Sequence, residues 1–358
     1  MGKVLMKGNE AIGEAAIRAG CLNYFAYPIT PQSEVAEYLS RRMPEVGGVF
    51  LQGESEVAVG YMLFGASGCG ERVFTTSSSP GISLMSEAIS YISSAELPVV
   101  FVNIVRGGPG LGGILPSQAD YFQATKGGGH GDYHLLVMAP ASVQEAVEMV
   151  MTAFPLAEKY RNPVMILGDG LIGQMMEPVE FSDSLTSKPS NKDDWATNGM
   201  DTRERKDRNL VKSLFLDAGQ LEEHNLVLKA KYNRMKQEEV RYEAYNIDSD
   251  FRALIVSYGT MSRVCKTAID NMKAEGFEAA MIRPQTLFPF PLDPIRQAAA
   301  KDGCEAVISF ELSMGQMVED VERSVQGKCP VYWHGKAGGE IPTPEEVVDA
   351  VKSFVKTK

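Results

Sequence analysis

Tyr27-Pro28-Ile29-Thr30-Pro31 follows directly on a short apolar run at residues 22–26, a pattern that predicts a strand ending in a turn. Thr30 is a suitable helix-capping residue and Pro31 suits a first helical turn, so a helix is predicted over residues 32–43. In open α/β sheets ligands bind at the carboxyl ends of the strands, where Thr30 offers an anion a hydroxyl, a backbone N–H and a helix N-terminus. The alternative interpretation of Thr30 is an ordinary helix cap.

Strands and helices alternate through the first half of the chain. Strands are predicted at residues 22–26, 48–52, 73–76, 97–105, 135–138 and 163–167, and helices at residues 8–20, 32–43, 57–67, 82–96 and 142–160. The run at 97–105 is almost continuously apolar, as expected of a central parallel strand that is covered on both faces. Residues 1–180 are therefore predicted to form a doubly wound α/β domain.

Residues 181–250 interrupt this alternation because they are rich in Ser, Asn, Asp, Lys and Arg. Within them Leu221, Leu228, Met235 and Tyr242 recur every seventh residue, which predicts one long amphipathic helix with a narrow apolar seam. We interpret this segment as a polar connector. Its helix either packs on its own domain or contacts another subunit.

The alternation returns at residues 251–358, which are predicted to form a second, smaller α/β domain. Strands are predicted at residues 253–257, 279–283, 306–310 and 330–333, and helices at 262–275, after Pro291, at 314–325 and from Thr343. We find no cluster of titratable residues in this part of the sequence. Docking and assembly are therefore its expected roles.

Composition limits the class of protein. The chain has 358 residues, of which 44% are hydrophobic, and no run approaches the roughly 18 apolar residues that span a membrane. The first residues lack the apolar core of a signal peptide, so a cytoplasmic location is expected. The net charge of −11 argues against a nucleic-acid-binding surface, which needs clustered Lys and Arg.

The cysteines and histidines predict no metal site on this chain. The five cysteines, at positions 21, 69, 265, 304 and 329, lie far apart in the sequence and form no Cys-x-x-Cys pair for zinc, an iron–sulfur cluster or a redox disulfide. The four histidines offer only the weak His130/His134 pair within a Gly-rich segment. Any electron-carrying cluster is therefore expected on another chain.

Three charged residues directly follow predicted strands. Glu54 and Glu56 come after the strand at 48–52 and open the next helix, and Arg106 ends the strand at 97–105. Because the carboxyl ends of parallel strands share one edge, Glu56 and Arg106 are expected close to Thr30. The Gly-rich segment at 107–131 is too long for a simple connection and is interpreted as an active-site loop. The alternatives are a helix N-terminal acid for either glutamate and a surface salt bridge for the arginine.

The sequence resembles the alpha subunits of 2-oxoacid:ferredoxin oxidoreductases. Three segments carry this resemblance in order: Tyr27-Pro28-Ile29-Thr30-Pro31, then Gln52-Gly53-Glu54-Ser55-Glu56-Val57-Ala58, then Asn103-Ile104-Val105-Arg106-Gly107-Gly108-Pro109-Gly110. It covers almost the whole chain and is nearest to the branched-chain (3-methyl-2-oxobutanoate) enzymes, followed by the 2-oxoglutarate enzymes. It implies a thiamine-diphosphate-binding domain of the pyrimidine type at 1–180 and a domain like the C-terminal domain of transketolase at 251–358.

The resemblance also implies roles for single residues. Glu56 matches the glutamate that hydrogen-bonds N1′ of the aminopyrimidine ring of thiamine diphosphate, and Glu54 is the less favoured candidate. Pro28 and Ile29 are implied as further cofactor contacts.

Two other residues are implied as substrate contacts, namely Thr30 and Arg106. A guanidinium group can bind the planar carboxylate of a 2-oxoacid through two parallel hydrogen bonds, to which the Thr30 hydroxyl would add a third. The segment at 112–126 is expected to close over the site, without roles for its single residues.

The diphosphate half of a thiamine site is not predicted on this chain. Gly168-Asp169-Gly170 resembles the start of a magnesium and diphosphate motif, but no following helix returns an Asn to the strand edge, so Asp169 is interpreted as the start of a turn. The resemblance implies that a beta subunit supplies the diphosphate and Mg²⁺ site and that partner subunits or ferredoxin carry the iron–sulfur clusters.

The expected function is oxidative decarboxylation of a 2-oxoacid, most simply 3-methyl-2-oxobutanoate, to acyl-coenzyme A and CO₂, with electrons passed to ferredoxin. Activity is expected only with the partner subunits. Three alternatives stay open: 2-oxoglutarate as the substrate, a non-catalytic assembly subunit, and a transketolase-like transferase with its own diphosphate site.

Overall fold

A computed structural model of the chain describes residues 2–199 and 208–355. Its strands are β1 (Val4–Lys7), β2 (Asn23–Ala26), β3 (Val49–Gln52), β4 (Val73–Ser77), β5 (Val99–Val105), β6 (Leu136–Met138), β7 (Val164–Asp169), β8 (Met176–Val179), β9 (Tyr242–Tyr245), β10 (Ala253–Val256), β11 (Ala279–Pro284), β12 (Thr286–Phe288), β13 (Ala306–Glu311) and β14 (Val331–Gly335).

The helices of the described residues alternate with these strands. They are α1 (Gly8–Arg18), α2 (Ser33–Glu45), α3 (Glu56–Gly68), α4 (Ser79–Leu84), α5 (Ser86–Ser94), α6 (Tyr121–Thr125), α7 (Val143–Tyr160), α8 (Gly170–Gln174), α9 (Ala218–Glu238), α10 (Gly259–Ala274), α11 (Leu292–Ala299), α12 (Met317–Val325) and α13 (Pro344–Phe354). In residues 2–199 and 208–355, none of these helices has both the length and the apolar character needed to cross a membrane.

The first sheet has seven strands in the order β12-β6-β7-β5-β4-β2-β3. All neighbouring pairs are parallel except β12 with β6. Helices α1, α2 and α7 pack together, and α3 packs against α5, so two groups of helices cover the sheet. These helices explain why every residue of β4, β5 and β7 is buried. For β5 this burial confirms the prediction made from the continuous apolar run at 97–105.

The order in which strands are added to this sheet reverses at β2, although the strands themselves stay parallel. From β2 the chain adds β3 on one side and then crosses back to add β4 on the other side. In open α/β sheets the ligand crevice lies outside the carboxyl ends of the strands at this kind of reversal. The segments that follow β2, β3, β4 and β5 therefore define where a site is expected.

Several predicted helix boundaries differ from the structure, and two of these differences lie next to the ends of β2 and β4. The helix predicted at 82–96 is two helices, because the buried Met85 ends α4 and begins α5 with a backbone ψ of −2°. The helix predicted to begin at residue 32 begins at Ser33.

The connector contains one long helix, α9, as its sevenfold apolar pattern predicted. Leu228 and Met235 of this helix are buried, whereas Leu221 is 41% exposed and Tyr242 lies outside the helix, in β9. A hydrogen bond of 2.8 Å joins His224 Nε2 to the carbonyl oxygen of Ser94. Helix α9 thus packs on its own first domain.

The second sheet has five strands in the order β14-β13-β10-β11-β9, with only β9 antiparallel to its neighbour. Strand β12, which follows β11, leaves this sheet and pairs with β6 of the first sheet, with Thr286 opposite Met138. The sequence predicted no strand there. The mixed α/β architecture itself, with a larger and a smaller parallel sheet, is confirmed, and the predicted limits 1–180, 181–250 and 251–358 stay a prediction.

Candidate functional site

The turn at residues 27–31 is stabilised by hydrogen bonds from polar side chains of the first domain. The Gln32 N–H donates to the carbonyl oxygen of Ile29 at 3.1 Å and closes the turn. The carbonyl oxygen of Pro31 accepts hydrogen bonds from Asn9 Nδ2 at 2.8 Å and Gln174 Nε2 at 3.3 Å. These contacts leave Pro28 and Thr30 exposed at the carboxyl end of β2.

The predicted capping role of Thr30 was wrong. Helix α2 begins at Ser33, Gln32 is its N-cap residue, and no side chain caps the helix. The reason is the closed turn, which delays the first helical residue by two positions relative to Pro31. The Thr30 hydroxyl is therefore not used as a helix cap.

Glu56 is the first residue of α3, and Ser55 caps that helix by accepting a 3.2 Å hydrogen bond from the Ala58 N–H. Glu56 is only 6% exposed, whereas Glu54 lies on the surface. Of the two carboxylates that the sequence offered at this point, only Glu56 points into the protein.

The surroundings of Glu56 fit a bound group that shares a hydrogen bond with its carboxylate. Among the described residues none donates a hydrogen bond to this carboxylate, although the side chain is buried. A Cβ atom on Gly81 would lie 2.8 Å from Glu56 Oε1 and 2.1 Å from the hydroxyl oxygen of Ser77, which is itself buried without a partner. The glycine thus lets the Glu56 carboxylate and the Ser77 hydroxyl approach the backbone closely, and a side chain at position 81 would displace them.

Arg106 follows β5 and is held by backbone carbonyl groups. Its Nη1 donates to the carbonyl oxygen of Thr30 at 2.9 Å, and its Nη2 donates to that of Leu111 at 3.2 Å. Its backbone N–H donates to Ser79 Oγ at 3.1 Å. Arg106 is 7% exposed and forms no ion pair with the described residues, so the alternative of a surface salt bridge is wrong.

The segment after Arg106 forms a compact loop over residues 107–116. The Gly113 N–H donates to the carbonyl oxygen of Gly107 at 2.9 Å, and the Gly107 N–H donates to that of Leu115 at 3.2 Å. The side chain of Leu111 is 84% exposed at the tip of the loop. The loop and Arg106 together line a cavity of about 150 Å³.

Asp120 lines the same cavity and was not predicted as a site residue. Its Oδ2 accepts a 2.9 Å hydrogen bond from Asn103 Nδ2, and burial raises the pKa of its carboxyl group. The sequence feature that could have indicated Asp120 was an acidic residue within the Gly-rich segment that follows Arg106. That signal cannot be distinguished from an ordinary loop acid without the fold, which brings Asp120 back to the end of β5.

Asp169 begins a turn, as predicted. Its Oδ1 accepts hydrogen bonds from the N–H groups of Leu171 at 2.9 Å and Ile172 at 3.2 Å, and it thereby caps α8. Burial raises the pKa of this carboxyl group. Within residues 2–199 and 208–355, no group of three or more His, Cys, Asp and Glu side chains is arranged to hold a metal ion.

Two cysteines that are far apart in the sequence meet in the fold. Cys304 and Cys329 precede the parallel strands β13 and β14, and their sulfur atoms lie 4.0 Å apart as free thiols. Burial raises the pKa of Cys304 to about 12. The pair lies at the amino ends of these strands, whereas Glu56 and Arg106 follow the carboxyl ends of strands in the other sheet.

Comparisons with known proteins match both parts of the chain. Residues 14–246 match the family model described as pyruvate flavodoxin/ferredoxin oxidoreductase, thiamine diphosphate-binding. Residues 252–347 match the model described as pyruvate:ferredoxin oxidoreductase core domain II.

Two curated relatives are similar over nearly their full length. The ketoisovalerate oxidoreductase subunit VorB of Methanothermobacter thermautotrophicus is 47% identical over 353 residues, covering 98% of each chain. The 2-oxoglutarate synthase subunit KorA of Methanocaldococcus jannaschii is 35% identical over 366 residues, covering 97% of this chain and 98% of the relative.

A solved structure with a similar fold covers nearly all of this chain. It is the 2-oxoglutarate:ferredoxin oxidoreductase from Magnetococcus marinus with 2-oxoglutarate, coenzyme A and succinyl-CoA bound. The TM-score is 0.86 at 26% identity, and the alignment covers 99% of this chain and 65% of the other.

Proposed function

The chain belongs to the thiamine-diphosphate-binding pyruvate flavodoxin/ferredoxin oxidoreductase family, and from this we propose that it is the alpha subunit of a 2-oxoacid:ferredoxin oxidoreductase. The observation that carries the proposal is the placement of Thr30, Glu56 and Arg106 after β2, β3 and β5, at one edge of the first sheet, where Arg106 donates a hydrogen bond to the Thr30 carbonyl oxygen. The proposed reaction converts a 2-oxoacid and coenzyme A to an acyl-coenzyme A, CO₂, a proton and two electrons, which pass to ferredoxin.

Thiamine diphosphate, when bound, supplies the carbon nucleophile and the electron sink that decarboxylation of a 2-oxoacid requires. In this proposal Glu56 holds the pyrimidine half of the cofactor through its buried carboxylate, and Pro28 and Ile29 line the approach from the end of β2. The Glu56 carboxylate is buried and accepts no hydrogen bond from the described residues, so it is available to hydrogen-bond a ring nitrogen.

Arg106 and Thr30 bind the substrate carboxylate in this proposal. The guanidinium group carries two carbonyl contacts, of which the one to Leu111 belongs to a loop with an exposed tip. A substrate carboxylate is a stronger acceptor than a backbone carbonyl because the hydrogen bond is then ionic on both sides. The exposed Thr30 hydroxyl would contribute one further donor.

The proposed substrate is 3-methyl-2-oxobutanoate. Two VorB subunits of ketoisovalerate oxidoreductases are 47% and 49% identical to this chain, compared with 33% to 36% for the KorA subunits of 2-oxoglutarate synthases. The alternative substrate is 2-oxoglutarate.

The proposed partners complete the site. A beta subunit would carry the diphosphate and Mg²⁺ half of the thiamine site, and an iron–sulfur subunit or ferredoxin would accept the electrons. The support is that the relatives are named as subunits and that Asp169 is used as a helix cap. We expect the complex in the cytoplasm, where ferredoxin and coenzyme A are available.

The test is purification of the native complex, followed by coenzyme-A-dependent viologen reduction with 3-methyl-2-oxobutanoate, 2-oxoglutarate and pyruvate in parallel. The proposal expects the fastest reduction with 3-methyl-2-oxobutanoate. Faster reduction with 2-oxoglutarate would show that 2-oxoglutarate is the substrate and would leave the proposed reaction unchanged. A complex that contains its clusters and thiamine diphosphate but reduces viologen with none of the three acids would overturn the proposal in favour of an assembly subunit or a transferase.

A further inference from the structure

Gln118, in the first domain, forms hydrogen bonds with backbone groups of the second domain. The Gln118 N–H donates to the carbonyl oxygen of Leu312 at 2.8 Å, and its Nε2 donates to that of Tyr258 at 2.8 Å. Its Oε1 accepts a 2.9 Å hydrogen bond from the Leu312 N–H. Gln118 is only 3% exposed, so both ends of its amide group are used in a buried joint between the domains.

The loop at 107–116 connects the end of β5 to the segment that Gln118 bonds to the second domain. Arg106 and Pro116 form an isolated bridge at the base of the loop, two residues before Gln118. Residues 338 and 339 of the second domain lie against the loop: a Cβ on Gly107 would be 3.5 Å from Gly338, and a Cβ on Gly339 would be 2.3 Å from the Cβ of Leu115. The second domain thus touches the loop where glycines allow close approach.

The loop in turn contacts the guanidinium group of Arg106. One of its two carbonyl acceptors is Leu111, at the tip of the loop, and the other is Thr30 in the opposite segment. The loop contains five glycines, at positions 107, 108, 110, 112 and 113, and so has little conformational preference of its own. Its position is therefore held by its few internal hydrogen bonds, by its contacts with residues 338 and 339 and by its two fixed ends.

We propose that Gln118 is a positioning residue for the substrate site: by fixing the far end of the loop at 107–116 to the second domain, it orients the guanidinium group of Arg106 toward the 2-oxoacid carboxylate. This inference rests on the proposed function. It also gives the second domain a role in substrate binding, although none of the described residues of that domain lines the cavity beside Arg106.

The physical consequence is an effect on substrate binding without a comparable effect on the cofactor. Gln118 forms no hydrogen bond with Glu56 or with the turn at 27–31. Loosening the loop lets the guanidinium group sample orientations that do not match a planar carboxylate, and misplacement by about 1 Å in an oriented site is costly. Loss of the Gln118 side-chain bonds is therefore expected to raise the KM for the 2-oxoacid and to leave the affinity for the cofactor unchanged.

The experiment compares Gln118→Met with Tyr121→Phe in the assembled complex. Gln118→Met keeps the volume of the side chain and removes the two hydrogen bonds of the side-chain amide, while the backbone bond to Leu312 stays. Tyr121→Phe removes the 2.6 Å interdomain hydrogen bond to Asp320, which lies beyond the loop, and serves as the matched control. For each variant, the KM for 3-methyl-2-oxobutanoate, thiamine diphosphate affinity, thermal unfolding and amide hydrogen exchange of residues 107–116 are measured.

We expect Gln118→Met to raise the KM on the order of tenfold, with kcat and thiamine diphosphate affinity within about twofold of the wild type and faster exchange over the loop. Tyr121→Phe should lower thermal stability without these changes. An unchanged KM in an active complex, or an equal rise with Tyr121→Phe, would overturn the positioning role alone. A wild-type complex that is inactive with every 2-oxoacid would instead overturn the proposed function, whatever the exchange data show.

Discussion

The guanidinium group of Arg106 donates a 2.9 Å hydrogen bond to the backbone carbonyl oxygen of Thr30, across the carboxyl ends of β5 and β2. A second bond, of 3.2 Å, reaches the carbonyl oxygen of Leu111, and the Nε atom is buried without a partner. The positive charge of Arg106 is thus held in a buried position by neutral acceptors alone among the described residues. An arginine in this state is prepared to receive an anion.

Replacing Arg106 should weaken binding of the 2-oxoacid without weakening binding of the cofactor. We expect Arg106→Ala to raise the KM for the 2-oxoacid about 100-fold, since removing one partner of a buried charged contact costs about 2–5 kcal/mol. Arg106→Lys should recover only part of this loss because an ammonium group cannot form two parallel bonds. Steady-state viologen reduction measures the effect. A KM that is unchanged in both variants would exclude Arg106 as the carboxylate ligand.

Glu56 and Glu54 offer a matched pair of substitutions. Glu56→Gln keeps the shape of the buried side chain but cannot take a proton, so we expect kcat to fall by about 10²- to 10⁴-fold. Glu54→Gln, two residues earlier and exposed, should change kcat less than twofold. Both are measured in the assembled complex with its clusters intact. Full activity of the Glu56→Gln complex would favour the assembly-subunit alternative.

Gly81 should be intolerant of even one added carbon. The Cβ of Gly81→Ala would lie 2.1 Å from Ser77 Oγ and 2.8 Å from Glu56 Oε1, so the carboxylate must move. We expect thiamine diphosphate affinity to fall at least about tenfold, because the position of the cofactor contact is lost. Gly65→Ala in α3 is the control, since a Cβ there meets open space and alanine is the better helix former by about 0.5–1 kcal/mol. Equal cofactor affinity in the two variants would contradict the requirement for close packing of the Glu56 carboxylate against Gly81.

Glu311 should be a major determinant of the stability of the second domain. It is fully buried, and its carboxylate accepts five hydrogen bonds of 2.8–2.9 Å, from the hydroxyls of Ser309 and Ser313 and from the N–H groups of residues 316, 317 and 318 at the start of α12. Glu311→Ala would leave these donors unpaired, and we expect a loss of about 3–5 kcal/mol in the free energy of unfolding.

Urea denaturation of the chain measures this loss. Ser309→Ala, which removes only one of the five donors, should cost about 1 kcal/mol and provides the comparison. A loss below that of Ser309→Ala would show that the carboxylate is not needed to organise the start of α12.

His134 should make stability depend on pH. Its ring stacks on Phe288 with centroids 4.2 Å apart, and burial, with smaller contributions from Lys236 and Lys126, lowers its pKa from 6.5 to about 4, while Asp132 opposes this shift. Because the unfolded state binds the proton more tightly, stability is fully present above pH 6.5 and is lost as the pH falls toward 4. The expected loss is about 1–2 kcal/mol after allowance for partial solvent exposure.

The measurement is urea denaturation of the wild type and His134→Phe at pH 7 and pH 5. The phenylalanine keeps the ring but cannot titrate, so the variant should lose less stability than the wild type between the two pH values. An identical loss in both proteins would assign the pH dependence to carboxyl groups instead.

Local patterns in the sequence determined most of the secondary structure and the edge on which the site lies. The apolar run at 97–105 identified β5 because a strand covered on both faces needs apolar residues throughout. The polar residues after the strands placed Thr30, Glu56 and Arg106 at one edge, because alternating strands and helices leave few topologies other than a parallel sheet. The weakest local signals were missed: β1 and β8 are four-residue strands in which only Val179 is buried.

Only the tertiary structure decided how these residues are used. Burial selects Glu56 over Glu54, and the closed turn at 27–31 prevents Thr30 from capping α2. Strand β12 leaves its own domain to join the first sheet, and Gln118 bonds to backbone groups 140 and 194 positions away. Such contacts depend on which distant segments meet, and because backbone acceptors are the same at every residue, no side-chain pattern in the sequence marks them in advance.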